Sequence, residues 1–302
     1  MSQSSLVNRP SHAFAYVAWI VVCVVWGTTY LAIRVALESV PVAMLAGLRF
    51  VAAGLILIIG LRLTGRKLPS PRTWGSVAIA AFLLLVIGNG GVVWAEQYVA
   101  SGLAAVMVAM VPFWNVLVEA MRPDGERPSA RTLLGLTVGF AGIVVLVWPE
   151  LFTGDGGRWF VAGLIALQLA CAGWALGTSY TKHTTASSSP VATSAMQQLI
   201  AGLMFLVIAT ITGEWSRLAF TPRSAGAVLY LVVFGSLVAY SAYVYALKHL
   251  PIATVSLYSY VNPLIAVVLG TVLLSEPFST RTLVASALVF AGIAVVRSAK
   301  PA

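Results

Sequence analysis

Charge is what this chain has least of. Of its 302 residues only 9% are Asp, Glu, Lys or Arg, while 60% are hydrophobic and the mean hydropathy is +0.94. No soluble domain keeps such a balance in water, so the bilayer is its solvent. Cysteine is nearly absent: Cys23 and Cys171 each lie inside an apolar run, where a thiol acts as a small hydrophobe, which argues against a disulfide framework. His12, His183 and His249 are far apart in loops or at helix ends and offer no metal-ligand spacing. No GxxxxGK[ST] phosphate loop occurs, and no polar stretch is long enough to fold as a soluble domain. Runs of about ten residues alternating apolar and polar, as a membrane β-barrel needs, are missing. Nor do His, Asp, Glu, Ser and Cys cluster on adjacent runs as acid-base or metal catalysis would require, so no enzyme is expected. The net charge of +9 and pI near 9.9 come without a basic stripe interleaved with aromatics, which argues against nucleic acid as a partner.

What is present is a series of apolar runs, each about the 20 residues that a helix needs to cross some 30 Å of hydrocarbon. They fall at 14–36, 42–63, 75–97, 102–121, 131–148, 159–180, 190–212, 225–247, 252–274 and 281–297. The expected fold is therefore an all-α polytopic membrane protein of ten transmembrane helices. Between runs stand turn formers: Pro69 and Pro71, Arg122-Pro123-Asp124-Gly125, Gly154-Asp155-Gly156-Gly157 and Ser187-Ser188-Ser189-Pro190. Residues 1–12 are polar and carry Arg9, and the run after them is too long for a cleaved signal peptide. With the N-terminus inside, Arg9, Arg62, Arg66, Lys67, Arg72, Arg122, Arg127, Arg131, Lys182, Lys248, Arg297 and Lys300 face the cytoplasm. Arg34, Arg158, Arg217, Arg223 and Arg281 then face out. The positive-inside rule thus places both termini in the cytoplasm.

The chain repeats itself. Shifted by 150 residues, Glu126–Val145 aligns with Glu276–Val295 at ten identities in twenty, including Arg131/Arg281, Thr132/Thr282 and Phe140-Ala141-Gly142/Phe290-Ala291-Gly292. Gly27-Thr28-Thr29-Tyr30 pairs likewise with Gly177-Thr178-Ser179-Tyr180, and a shift of 151 pairs Pro112 with Pro263 and Pro71 with Pro222. Hydrophobicity alone does not match loop charges, so the halves share one ancestor. Each half holds five spans, an odd number, and the second must enter the membrane from the opposite side. Two inverted five-helix repeats around a central cavity are the architecture of alternating access. The expected layout is a cytoplasmic tail at 1–13, a first repeat at 14–148, an outer linker at 149–158, a second repeat at 159–297 and a cytoplasmic tail at 298–302.

Trp26-Gly27-Thr28-Thr29-Tyr30, Arg49-Phe50, Gly88-Asn89-Gly90 through Ala95-Glu96, and Val111-Pro112 together resemble the drug/metabolite transporter superfamily, EamA type. The resemblance covers both halves and is nearest to the branch of bacterial drug and metabolite exporters. It implies a ten-helix fold with a central cavity, the fifth and tenth spans lying off the pathway, and secondary efflux of small organic solutes. It identifies no single solute.

Ionisable groups inside spans are expensive, about 2.5–3.5 kcal/mol at a helix centre on insertion scales. Arg49 lies well inside the second span and Glu96 near the outer end of the third, at a level where the two could meet. One reading has Glu96 binding a cationic group or carrying a proton while Arg49 tunes it or holds a solute carboxylate; the other is a structural ion pair. Glu119 and Arg34 read as helix-end groups that snorkel to the interface. Tyr30, Asn89, Trp94, Tyr240, Tyr243, Ser256, Tyr260 and Asn262 supply a polar-tipped aromatic wall, Asn89 and Trp94 matching Tyr240 and Tyr245 under the 151 shift. Trp19, Trp148 and Trp159 suit headgroup anchoring instead. Pro112 and Pro263 free the carbonyls of Val108 and Ser259 and are candidate hinges at equal depth. Gly135 and Gly139 form a GxxxG pattern suited to close contact within the bundle. The partners expected are a small solute such as an amino acid or amphipathic drug, the lipid bilayer, and protons as the candidate coupling ion. No cofactor or metal is expected, and the protein is expected to be a monomer or weak homodimer. A facilitator without proton coupling is the alternative.

Overall fold

The computed structural model describes residues 12–122, 129–153, 157–184, 189–276 and 279–298, and all regular structure among them is helical. Ten helical runs follow one another: α1 (His12–Ala36), α2 (Val42–Leu63), α3 (Pro71–Ala95), α4 (Ser101–Ala120), α5 (Ala130–Thr153), α6 (Gly157–Thr184), α7 (Pro190–Ile211), α8 (Pro222–His249), α9 (residues 252–274) and α10 (Thr280–Ser298). Seven of them, α1–α4 and α6–α8, are by length and composition able to cross a membrane; Tyr258–Leu274 and Leu283–Gly292 are shorter apolar stretches. Leu55, Ile56, Ile59, Leu203 and Val207 point outward, as side chains solvated by lipid must.

Helix ends follow from local chemistry. Proline leads α3, α7 and α8 at positions where its missing N–H costs nothing, and Thr221 and Ser224 close a reciprocal capping box at the start of α8. After α7, Gly213 takes a left-handed φ of 67° and turns the chain into the short Glu214–Arg217 helix. The Glu214 carboxylate thereby accepts the Met44 N–H, 2.9 Å away, at the start of α2.

The two halves make matching contacts. α1 packs on α8 and α9, α6 packs on α3 and α4, and the pairs α2–α7 and α5–α10 each match themselves on exchange of halves. The fold is thus two inverted five-helix repeats around a central cavity. α2 and α7 touch backbone to backbone, since a methyl at Gly202 would sit 2.5 Å from the Val51 nitrogen. α5 and α10 do the same: a methyl at Gly292 would lie 2.8 Å from the Gly139 Cα, so the GxxxG glycines serve packing within one chain. Irregularities repeat as well. Phe82–Asn89 of α3 and Leu231–Val238 of α8 are π-helical, a widening that often accompanies functional sites. α4 breaks at Ala109–Met110, just before Pro112. α9 breaks at Ser256–Leu257, ahead of Pro263, which lies within the continuous Tyr258–Leu274 segment. The two breaks therefore sit at different distances from their prolines. In α9 the Ser256 and Ser259 hydroxyls bond back to the carbonyls of Ile252 and Ser256 at 2.8 and 2.7 Å, competing with the helix ladder.

Candidate functional site

Between α1, α2, α3, α4, α6, α8 and α9 lies a narrow central cavity of about 60 Å³. Aromatic rings from both halves wall it. Trp26 of α1 stands edge-on to Trp174 of α6 and Tyr258 of α9, with centroids 5.4 and 5.0 Å apart. Tyr243 of α8 sits behind these rings, 5.2 Å from Trp26 and 5.3 Å from Trp174. Three polar tips have partners that fix their rings. The Trp26 indole donates to the Gly235 carbonyl at 3.2 Å, the Tyr243 and Thr178 hydroxyls meet at 2.6 Å, and Tyr240 donates to Gln197 at 2.9 Å. The π-helical turn of α8 sets Gly235 and Ser236 toward α1 and α2, which is why a backbone carbonyl is available to Trp26 there.

Two polar atoms on this lining remain without partners. Arg49, 3% exposed, donates through Nε to the Ser236 hydroxyl at 2.7 Å, and its carbon lies 4.9 Å from the Phe50 ring centre. Its Nη1 has no hydrogen-bond partner, and neither has Oδ1 of Asn89 at the end of the π-helical turn of α3. A buried guanidinium nitrogen with no protein partner is costly to desolvate and suited to an anionic or acceptor group.

Of the residues singled out in the sequence, Tyr30, Arg49, Asn89, Tyr240 and Asn262 stand on the cavity lining. The Asn262 amide nitrogen donates to the carbonyls of Cys23 and Tyr258 at 2.8 and 3.0 Å and so ties α9 to α1. Tyr243 is one layer behind. Ser256 accepts from Asn115 at 2.6 Å between α4 and α9, away from the lining, and Tyr260 is half-buried outside it. Trp94 joins Tyr98 and Trp159 in an aromatic cluster at the end of α3, with Tyr98 and Trp159 stacked at 5.3 Å. Glu96 is fully buried beside this cluster and off the lining; neither carboxylate oxygen has a hydrogen-bond partner. Arg49 goes to Ser236, so the two do not meet through a hydrogen bond. Arg34 turns inward rather than snorkelling and donates to the Glu96 main-chain carbonyl, because the carbonyls at the end of α3 lack helical partners. Glu119, by contrast, stays at its helix end, accepting from Ser179 at 2.6 Å with Arg122 at 3.8 Å. The Trp148 side chain and the loop residues 123–128 lie outside what is described.

Trp174, Tyr258 and Thr29 join the lining without having been singled out as site residues. Trp26 stands within a motif, and its two-residue offset from Trp174 under the 150-residue shift conceals the pair. At the end of the bundle where α4 begins, Glu276, between α9 and α10, accepts from Ser101 N at 3.0 Å, Ser101 Oγ at 2.9 Å and Gly102 N at 3.2 Å, joining the halves. Ser39 and Ser224 at 2.7 Å and Glu38 and Arg223 at 3.3 Å link the halves at the same end. No group of three or more metal-ligating residues occurs among the described residues.

The model of the EamA-like transporter family matches twice, over residues 13–148 and 161–298. The chain is 38% identical over 276 residues to the inner membrane transporter YedA of Escherichia coli (strain K12), with 90% of this chain and 87% of YedA covered. To the WAT1-related chloroplastic protein At3g02690 of Arabidopsis thaliana it is 28% identical over 278 residues, covering 90% of this chain and 66% of that protein. A solved crystal structure shares the fold with a TM-score of 0.69 at 21% identity, covering 93% of this chain and 96% of the other.

Proposed function

The chain belongs to the EamA-like transporter family and is a membrane transporter, and from that premise we propose that it exports small amphipathic solutes bearing a carboxylate, apolar amino acids first among them, by alternating access. The observation that carries this reading is the cavity itself: an aromatic box from both halves, with an unpartnered Arg49 nitrogen and an unpartnered Asn89 oxygen on its wall. The rings suit an aliphatic or aromatic body, Arg49 suits a carboxylate, and Asn89 suits an N–H donor. A phosphorylated solute would call for paired cations, and the lining offers one. Catalysis is not part of this reading, since a guanidinium and an amide among aromatics supply no acid-base pair. The orientation proposed has both termini in the cytoplasm of a bacterial inner membrane, with the two repeats at 14–148 and 159–297 and the protein functional as a monomer.

Glu96 is the proposed proton carrier, and Pro112, beside the break in α4, and Pro263, inside the Tyr258–Leu274 segment, are the proposed hinges. A facilitator without proton coupling is favoured by one observation: the Glu96 carboxylate lies off the cavity lining. Uptake and counterflow of labelled leucine, phenylalanine and a cationic drug in proteoliposomes, with and without a pH gradient, separate these readings. Acceleration by the gradient that Glu96→Gln abolishes supports coupling. Gradient-independent exchange untouched by Glu96→Gln assigns a facilitator, and carriage of sugar phosphates alone would sink the solute class.

A further inference from the structure

Away from the aromatic box, buried polar side chains continue along α2, α7 and α8 toward the end of the bundle where α7 begins. Arg49 and Ser236 start the line. Tyr240, one turn beyond Ser236 on α8, reaches Gln197 on α7. Gln198 donates to Ser194 at 3.0 Å, and Ser194 meets Ser241 of α8 at 3.3 Å. Thr193, Ser194, Gln197 and Gln198 recur at helical spacing, so they form one stripe of α7, and each is at most 1% exposed. Arg49 lies fourteen residues before Leu63, about 21 Å from that end of α2 at 1.5 Å per residue. Gln197 is about 10 Å and Thr193 about 4–5 Å from the Pro190 end of α7 by the same rise.

This stripe is not a closed network. Gln197 Nε2, Gln198 Oε1, Thr193 Oγ1 and Arg49 Nη1 are all buried without hydrogen-bond partners. Four such atoms strung along one seam cannot be left dry without a desolvation cost at each. A network built only to lock α2, α7 and α8 together would satisfy its own members. Open donors and acceptors at intervals along the seam are instead what water and a passing polar head group need.

We propose that the seam between α7 and α8, which begins at Arg49 of α2, is a hydrated lane through which the carboxylate of the solute passes between Arg49 and the face of the membrane at which α7 begins. It rests on the transport reading above and extends it, giving that reading a path and an anion preference. Arg49 is the one formal charge among the lane groups named here, and the amides and hydroxyls carry none. The lane therefore conducts anionic and neutral polar groups and disfavours cations.

The test is thiol labelling by charged, membrane-impermeant methanethiosulfonates, applied from either side to Thr193→Cys and Gln197→Cys in a Cys23→Ala/Cys171→Ala background. Leu203→Cys, whose side chain faces outward from the same helix, is the lipid-facing control. Ser194→Cys replaces Gln197→Cys if the latter does not purify as a monodisperse protein. Both lane cysteines are expected to react from the α7-start side about a hundredfold faster than the control, since a charged reagent does not enter hydrocarbon. At position 197 the anionic sulfonate reagent, corrected for its rate with a free thiol, outpaces the cationic trimethylammonium reagent. Lane cysteines as silent as Leu203→Cys, labelled only from the opposite side, or preferring the cation overturn the proposal. Labelling is read without any flux. A lane that reacts in a protein carrying no solute stands while the transport reading falls, and a silent lane in an active transporter does the reverse.

Discussion

Glu276 joins the two halves at one end of the cavity, and its removal has a calculable effect. The carboxylate accepts three hydrogen bonds from the first turn of α4, at 2.9, 3.0 and 3.2 Å, so it acts as the cap which that helix otherwise lacks. Charge-assisted bonds of this kind contribute about 1.5–3 kcal/mol gross, but Glu276 is only partly buried and water can replace some of what is lost. The expected cost of Glu276→Ala to this closed arrangement is then about that of losing a helix cap, roughly 1–2 kcal/mol, or about a five- to thirtyfold shift toward separation of the halves there. Glu276→Gln keeps one acceptor oxygen and loses the charge, so its shift is smaller. Cys171 is a built-in reporter, because it lines the cavity yet is 1% exposed. In a Cys23→Ala background, labelling of Cys171 by an impermeant maleimide added from the Glu276 side should rise by that factor in Glu276→Ala and by less in Glu276→Gln. Wild-type rates in both would refute the reasoning, since the three bonds would then hold nothing that opens.

Arg49→Gln should raise the KM for a carboxylate solute by about tenfold or more, the value of one charge-assisted bond, while Arg49→Lys should not restore it because one ammonium cannot reach both Ser236 and the solute; initial uptake rates check this. Trp174→Ala should weaken apolar solutes and spare small polar ones, because it removes one wall of the aromatic box, as a competition series would show. Gly202→Val should lower the midpoint of thermal unfolding by several degrees or prevent folding, since the added carbon meets the Val51 backbone, whereas Gly226→Val, with open space around it, should leave the midpoint unchanged.

Much of this protein could be read before any coordinates. The bilayer imposes a length and an apolar composition on each span, so the ten helical runs fall within a few residues of the sequence boundaries, those at 14–36, 42–63 and 190–212 almost at their ends. The repeat was visible because loop residues such as Arg131 and Arg281 match where lipid imposes no pattern. Arg49, Asn89, Tyr30, Tyr240 and Asn262 could be singled out because a polar group in a span is costly and needs a reason.

Which polar groups meet was decided only by the tertiary structure. Helices that are apolar all round carry little signal of which side faces the interior, so nothing in the sequence directs Arg49 toward Ser236 rather than Glu96, or Glu276 toward Ser101. The π-helical turns of α3 and α8 make the prediction harder still, because a widened turn rotates every later side chain about the helix axis. Sequence determined the class, the spans and the repeat, since lipid and ancestry act on composition and order. The cavity, the partners of its charges and the open polar seam depend on helix azimuth and close packing, which arise only when ten helices settle against one another.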